Sequence, residues 1–168
     1  MRKFLLFILS GTVLAACTSI DCPLDNVVVM TTTFYYPELE ENNWQETQMQ
    51  FLDTITVTSP SATTPLLNRG TSLASLELPM HQFASGSGRD TLALHFLGAS
   101  GSEAIEYIYL EHTCTPHFEA IDCAASVFHR ITAAECSTGG ILDSIRIIQP
   151  LVNYDDVENL RLFFHPQE

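Results

Sequence analysis

Lysine is almost missing from this chain: of 168 residues, none after Lys3 is a lysine. That excludes Schiff-base catalysis on a lysine and the lysine of a phosphate-binding loop. Cations as a whole are scarce, seven against twenty acids, for a formal net charge of −13. Nucleic acid is therefore a poor partner, because binding it means neutralising many phosphates. A Gly-x-Ser-x-Gly elbow, a Cys-x₂-Cys pair and a His-Glu-x-x-His motif are all absent. The recognisable signatures of a serine hydrolase and of common zinc sites are missing with them. No apolar run reaches the roughly 20 residues that a membrane-spanning helix needs. We expect neither an enzyme nor a cofactor.

What is present begins at the N-terminus. Arg2 and Lys3 precede a short, mostly apolar stretch from Phe4 to Leu14, then Ala15, Ala16 and Cys17. A basic segment, an apolar segment and small residues before the cut make a signal peptide. Leu14-Ala15-Ala16-Cys17 places a cysteine in register for thioether lipidation and cleavage before it. The expected organisation is a lipoprotein signal at 1–16, a lipidated tether at 17–25 and one domain at 26–168. Cleavage removes Arg2 and Lys3, which takes the formal charge from −13 to −15. Such an acidic domain is repelled by an anionic lipid surface, so the lipid on Cys17 is what holds the membrane. More than one acyl chain gives durable anchoring, where a single chain is marginal.

Four cysteines remain: Cys22, Cys114, Cys123 and Cys136. An even number in an exported protein points to disulfides, with three possible connectivities.

The rest of the chain reads as short strands. Val27–Tyr35 is dense in β-branched and aromatic residues. Asp53-Thr54-Ile55-Thr56-Val57, Asp90-Thr91-Leu92-Ala93-Leu94 and Asp143-Ser144-Ile145-Arg146-Ile147 share one form, a turn handing over to a strand. Aliphatics two apart fall on one face, so Ile55 with Val57, Leu92 with Leu94 and Phe96, and Ile145 with Ile147 should enter a core. Leu73–Leu78, Ala104–His112, Ser126–Ile131 and Leu160–Phe164 complete the set. Asn68-Arg69-Gly70 reads as a turn, Pro37–Gln50 as an exposed acidic loop and Asp155–Asn159 as one helical turn. About eight short strands with polar turns predict an all-β chain folded as an antiparallel β-sandwich, Ig-like or related, stapled by disulfides.

The densest polar cluster is Glu111-His112-Thr113-Cys114-Thr115-Pro116-His117-Phe118-Glu119, with Asp122, Cys123, His129 and Cys136 beyond it. His112, His117 and Glu119 form a possible ligand corner. Zinc needs three or four convergent ligands, and no recognised zinc spacing is present. We therefore expect a structural corner in which His112 and His117 bond local backbone, with no metal. Asn153–Asn159 is rich in oxygen but lacks the ligand order of a calcium loop, so a solvated turn is expected. Tyr35, Tyr36 and Trp44 could stack on a sugar; a lid over the sandwich edge is the plainer expectation.

The mature chain resembles a family of small, uncharacterised lipoproteins of Bacteroidota, a domain of unknown function. The resemblance lies in Cys22–Asn26, Leu67–Gly70, the Asp-Thr-Leu strand onsets, Val152–Tyr154, Asn159–Phe164 and, most specifically, Glu111–Cys123. It implies an envelope location and a Cys22–Cys123 bridge, which leaves Cys114 and Cys136 as the second pair. It implies no reaction and no ligand. The expectation is a lipid-anchored outer-membrane module, without enzymatic activity, serving an envelope complex. The alternative is a domain that binds glycan or a divalent cation.

Overall fold

A computed structural model describes residues 27–40, 43–121 and 123–165. Eleven strands and no helix are found among these residues: β1 (Met30–Glu40), β2 (Asn43–Gln48), β3 (Thr54–Thr58), β4 (Leu67–Gly70), β5 (Ser75–Leu78), β6 (Ser87–Leu97), β7 (Glu103–His117), β8 (Ser126–Cys136), β9 (Leu142–Ile147), β10 (Leu151–Val152) and β11 (Glu158–Phe164). They form two sheets. One runs β2-β1-β11-β9, with β5 also on β1, and the other runs β10-β8-β7-β6-β3-β4. The sheets pack face to face over a shared apolar interior, which is the expected sandwich with more strands than the eight anticipated.

Alternation builds this interior. Ile55 and Val57 on β3, Leu92, Leu94 and Phe96 on β6, and Ile108 and Leu110 on β7 are all buried. Met30 and Phe34 on β1 and Leu160, Leu162 and Phe164 on β11 meet them from the other sheet. Phe51 fills the middle, with its ring 4.8 Å from Phe96 and 5.2 Å from Phe164. Ile145 and Ile147 reach the core only partly buried.

Four expectations need correction. The sandwich is not wholly antiparallel: β1 and β11, the ends of the described chain, pair in parallel from Thr31–Glu158 to Tyr35–Phe163. Pro37–Gln50 is no loop, because β1 and β2 pair there as a hairpin. Two of its acids are matched across strands: Glu46 meets Arg146 and Arg161, and Thr47 donates to Glu38 at 3.0 Å. Asn68-Arg69-Gly70 lies within β4, where Arg69 adopts a φ of 52°. Asp155–Asn159 forms no helix; Asp155 N–H closes a turn on Asn153 Oδ1 and β11 follows.

The cysteines depart furthest. Cys114 and Cys136 are free thiols, so they are not the second pair. The register gives the reason. Cys136 lies opposite Ile108 on β7, while Cys114 lies opposite His129. Cys114 is six positions beyond Ile108, about 20 Å along the strand. Bridged Cα atoms must come within about 7 Å. Cys123 is disulfide-bonded. Cys17 and Cys22 lie outside the described residues.

Candidate functional site

β7 carries Ile108, Leu110 and His112 at alternate positions, all facing the interior and all nearly fully buried. Cys114 follows at the next inward position. β8 reaches the same place by an irregularity. Glu111 pairs with Ala133 but His112 pairs with Ile131, so Thr132 is an extra residue on β8. This bulge exchanges the faces of β8. Cys136 and Ala134 pack on the core on one side of it, His129 and Ile131 on the other. Thr132 turns its hydroxyl onto the carbonyl of Glu111 at 3.0 Å, which fixes the kink.

The outcome is a triad of two buried histidines and a half-buried thiol. His112 Nδ1 lies 3.3 Å from His129 Nδ1. Cys114 Sγ lies 3.5 Å from His129 Nδ1 and 3.8 Å from His112 Nδ1. A metal ion bonded at about 2.05 Å to nitrogen and 2.3 Å to sulfur, with tetrahedral angles, holds two nitrogens about 3.3 Å apart and a nitrogen and a sulfur about 3.6 Å apart. The three separations fit that pattern. As a hydrogen bond, 3.3 Å between two imidazole nitrogens is long. His112 Nε2 is buried with no hydrogen-bond partner. That atom lies on the far side of the ring from the three that converge, so the metal reading stands on the separations between His112 Nδ1, His129 Nδ1 and Cys114 Sγ.

Both rings are electrically prepared. Burial pushes His112 below the usual histidine range; His81 adds to this and the Asp90 carboxylate opposes it. Burial, followed by the neighbouring His112, takes His129 down to about 4, again against Asp90. At neutral pH both imidazoles are uncharged with a lone pair to give, so of the three ligands the Cys114 thiol is the one that must give up a proton to a cation.

The segment between β5 and β6 covers the triad. The Phe83 ring sits 5.0 Å from His112, and the His81 ring 4.8 Å from Phe83. Gly88 makes room for that cover, since a Cβ there would lie 2.7 Å from the Phe83 ring. Cys114 N–H donates to the Gly86 carbonyl at 2.7 Å. Beside it opens a groove of about 300 Å³ lined by Phe83, Ala84, Gly86, Cys114, Pro116 and Val127. One side of the triad thus has a route outward past the sulfur.

His112 was anticipated as a ligand residue, but its companions were not. His117 is five positions along β7 and on the opposite face, about 16 Å away. Its ring stacks on Phe128 at 4.2 Å and meets Tyr154 edge-on. Glu119 is exposed on the loop beyond β7. The ligand partners are Cys114, expected in a disulfide, and His129, counted beyond the polar cluster and in a strand but not in the ligand corner. A His-x-Cys spacing within one strand was the available signal, because residues two apart share a face.

Residues 54–164 match the model of a family of unknown function, DUF6452, and the chain belongs to that family. No curated protein matches the chain. No solved structure matches it either.

Proposed function

We propose that this protein is a lipid-anchored module of the cell envelope whose domain binds a transition-metal cation at His112, Cys114 and His129. The observation that carries the metal reading is the triad's set of separations, 3.3, 3.5 and 3.8 Å. One thiolate and two neutral imidazoles suit zinc, copper or cobalt and do not suit calcium or magnesium. The cation class is thus favoured over the glycan.

The site binds and does not catalyse. Apart from Cys114 itself, the residues that line the groove beside it, Gln82, Phe83, Ala84, Gly86, Pro116 and Val127, carry no titratable side chain. Asp90 is occupied by hydrogen bonds from Ser59, His81 N–H and Thr91 N–H. Anchoring rests on Leu14-Ala15-Ala16-Cys17, and the outer membrane on the lack of an acidic residue at Thr18. The tether runs from Cys17 to Asp25 and carries the Cys22–Cys123 bridge. An envelope protein complex is its setting; the net charge of −13 argues against nucleic acid.

Two measurements test this. Intact mass of protein taken from host membranes should begin at Cys17 and include acyl chains; an unmodified chain would remove the anchor. Cobalt(II) added to the detergent-solubilised protein should bind one equivalent with a sulfur-to-metal charge-transfer band. Cys114→Ser, nearly isosteric, should abolish the band. Lack of binding by the folded wild-type protein refutes the metal site.

A further inference from the structure

The interior next to the triad holds a negative charge with no positive partner. Asp90 is on the inward face of β6, only 6 % exposed. It lies opposite Leu110 in the sheet, and His112 lies opposite Gly88, so Asp90 and His112 are diagonal neighbours on the inner face. Both of its carboxylate oxygens accept backbone N–H groups, Oδ1 from Thr91 at 2.9 Å and Oδ2 from His81 at 3.3 Å. Ser59 Oγ adds a third bond to Oδ1 at 3.2 Å. Among the described residues, no ion pair involves Asp90: Arg89, Arg146 and Arg161 are engaged with Glu135, Glu46 and Glu158. A buried carboxylate held only by neutral donors is costly unless a cation lies nearby.

We infer that Asp90 is the outer counter-ion of the bound metal, which makes a divalent ion the charge-neutral occupant of the site. The inference rests on the metal reading above and extends it to the charge of the ion. The balance is simple. Cys114 as a thiolate contributes one negative charge, Asp90 a second, and the two imidazoles none. A divalent cation brings the buried group to zero. A monovalent cation such as Cu(I) leaves one negative charge buried, and a trivalent one leaves a positive charge.

Asp90 is well placed for this part. It is the diagonal neighbour of His112 on the inner face, two positions along β6 from the residue that pairs with the ligand. Through the His81 N–H it also fixes the covering segment, whose His81 carbonyl lies 3.7 Å from Cys114 Sγ. One side chain thereby sets both the field at the site and the placement of its cover. It coordinates nothing itself, and is a positioning residue.

The two contributions scale differently with the charge of the ion. Coulomb attraction to a fixed charge is proportional to the ion's charge. Asp90→Asn removes the charge and nearly keeps the shape. Because the Cys114 thiol gives up its proton as the metal binds, Cu(I) adds no net charge to the buried group and Co(II) adds one; we expect Asp90→Asn to weaken Co(II) about tenfold and to leave Cu(I) nearly unchanged. A residue that only holds the cover in place would weaken both ions by one common factor.

The test uses the full mature protein in a Cys136→Ser background, so that Cys114 is the reactive thiol. Affinities for Co(II) and for Cu(I) kept reduced by ascorbate are measured against competing chelators, with and without Asp90→Asn. Ser59→Ala, which removes a bond but no charge, is the uncharged comparison and should move both ions equally. A common factor for both ions in Asp90→Asn overturns the counter-ion role and leaves the metal site standing. If Asp90→Asn does not fold, Asp90→Ser, also uncharged, takes its place in the same two affinity measurements: unequal losses for Co(II) and Cu(I) support the counter-ion role, and a common factor overturns it. Binding of neither ion to the folded protein refutes the metal reading itself.

Discussion

Asn159→Ala should unfold this domain far more readily than an average substitution of an amide side chain. Asn159 is 1 % exposed and sits where the parallel pairing of β1 and β11 slips. Thr31 pairs with Glu158 and Thr32 with Leu160, so Asn159 has no partner residue on β1. Its side chain repairs the gap. Oδ1 accepts the Thr31 N–H at 2.9 Å, and Nδ2 donates to the carbonyls of Gln149 and Leu151, each at 3.0 Å. One amide thus ties β1, β10 and β11 together. Each such bond is worth about 1 kcal/mol net, and each buried group left without a partner costs about 1–3 kcal/mol. Losing three bonds at once gives a destabilisation of about 3 kcal/mol, or roughly 10 °C in Tm for a domain of this size. Asn159→Asp sharpens the argument. It keeps the acceptor for Thr31 but aims an oxygen at two carbonyl oxygens, so it should be at least as damaging as alanine. Urea denaturation followed by circular dichroism, alongside a thermal scan, reads both. A fall of less than about 3 °C for alanine, or an aspartate variant near wild type, would refute the bridging role.

Other consequences can be checked on the same protein. Gly140→Ala should destabilise strongly, because a Cβ there would lie 1.7 Å from Glu106 Oε1, and that buried carboxylate holds the turn through Ile141 N–H and Ser137; a thermal scan unchanged within 2 °C would contradict the packing. Acid should weaken the sheet of β1 and β11. Arg146 and then Arg161 hold Glu46 below the usual carboxylate range, and Arg161 with Thr33 does so for Glu158 against its burial. The folded state therefore binds fewer protons than the unfolded one, so this stability is complete above about pH 4.5 and is lost as pH falls through the depressed values. Arg161→Met should move the acid-unfolding limb to higher pH, and an unmoved limb in a pH titration of fluorescence counts against it. Peptide mapping without reduction should recover Cys114 and Cys136 as free thiols, with Cys136 alkylated more slowly than an unfolded cysteine because burial, Glu106 and Asp143 push its thiol up. A Cys114–Cys136 disulfide peptide would overturn the register of β7 and β8. Deleting Thr132 should turn His129 out of the core and abolish the cobalt charge-transfer band in a protein that still folds; a retained band would show that the bulge does not build the site.

The sandwich was legible because its strands obey a local rule. Ile55 with Val57, and Leu92 with Leu94 and Phe96, alternate on one face, and each is buried where that alternation places it. The hairpin of β1 and β2 escaped the same rule for a tertiary reason. Its acids suggest a solvated loop until Arg146 and Arg161, a hundred or more residues away in sequence, are brought alongside Glu46. The parallel pair of β1 and β11 is likewise a matter of which distant strands meet, and no local pattern encodes that.

The site failed to show itself for a narrower reason. Reading Cys114 as half of a disulfide took its sulfur out of consideration. Reading a strand at Ser126–Ile131 that stops before Thr132 placed His129 in a strand but not beside Cys114 and His112. With Ala134 and Cys136 on the core face, a regular period of two would point His129 at solvent. Thr132 alone reverses this, by one unpaired residue whose hydroxyl finds the Glu111 carbonyl. No composition or spacing in Ser126–Cys136 distinguishes a bulged strand from a straight one. A single inserted threonine thus decides whether two histidines and a thiol meet, and a metal site built across two strands is invisible until the register between them is known.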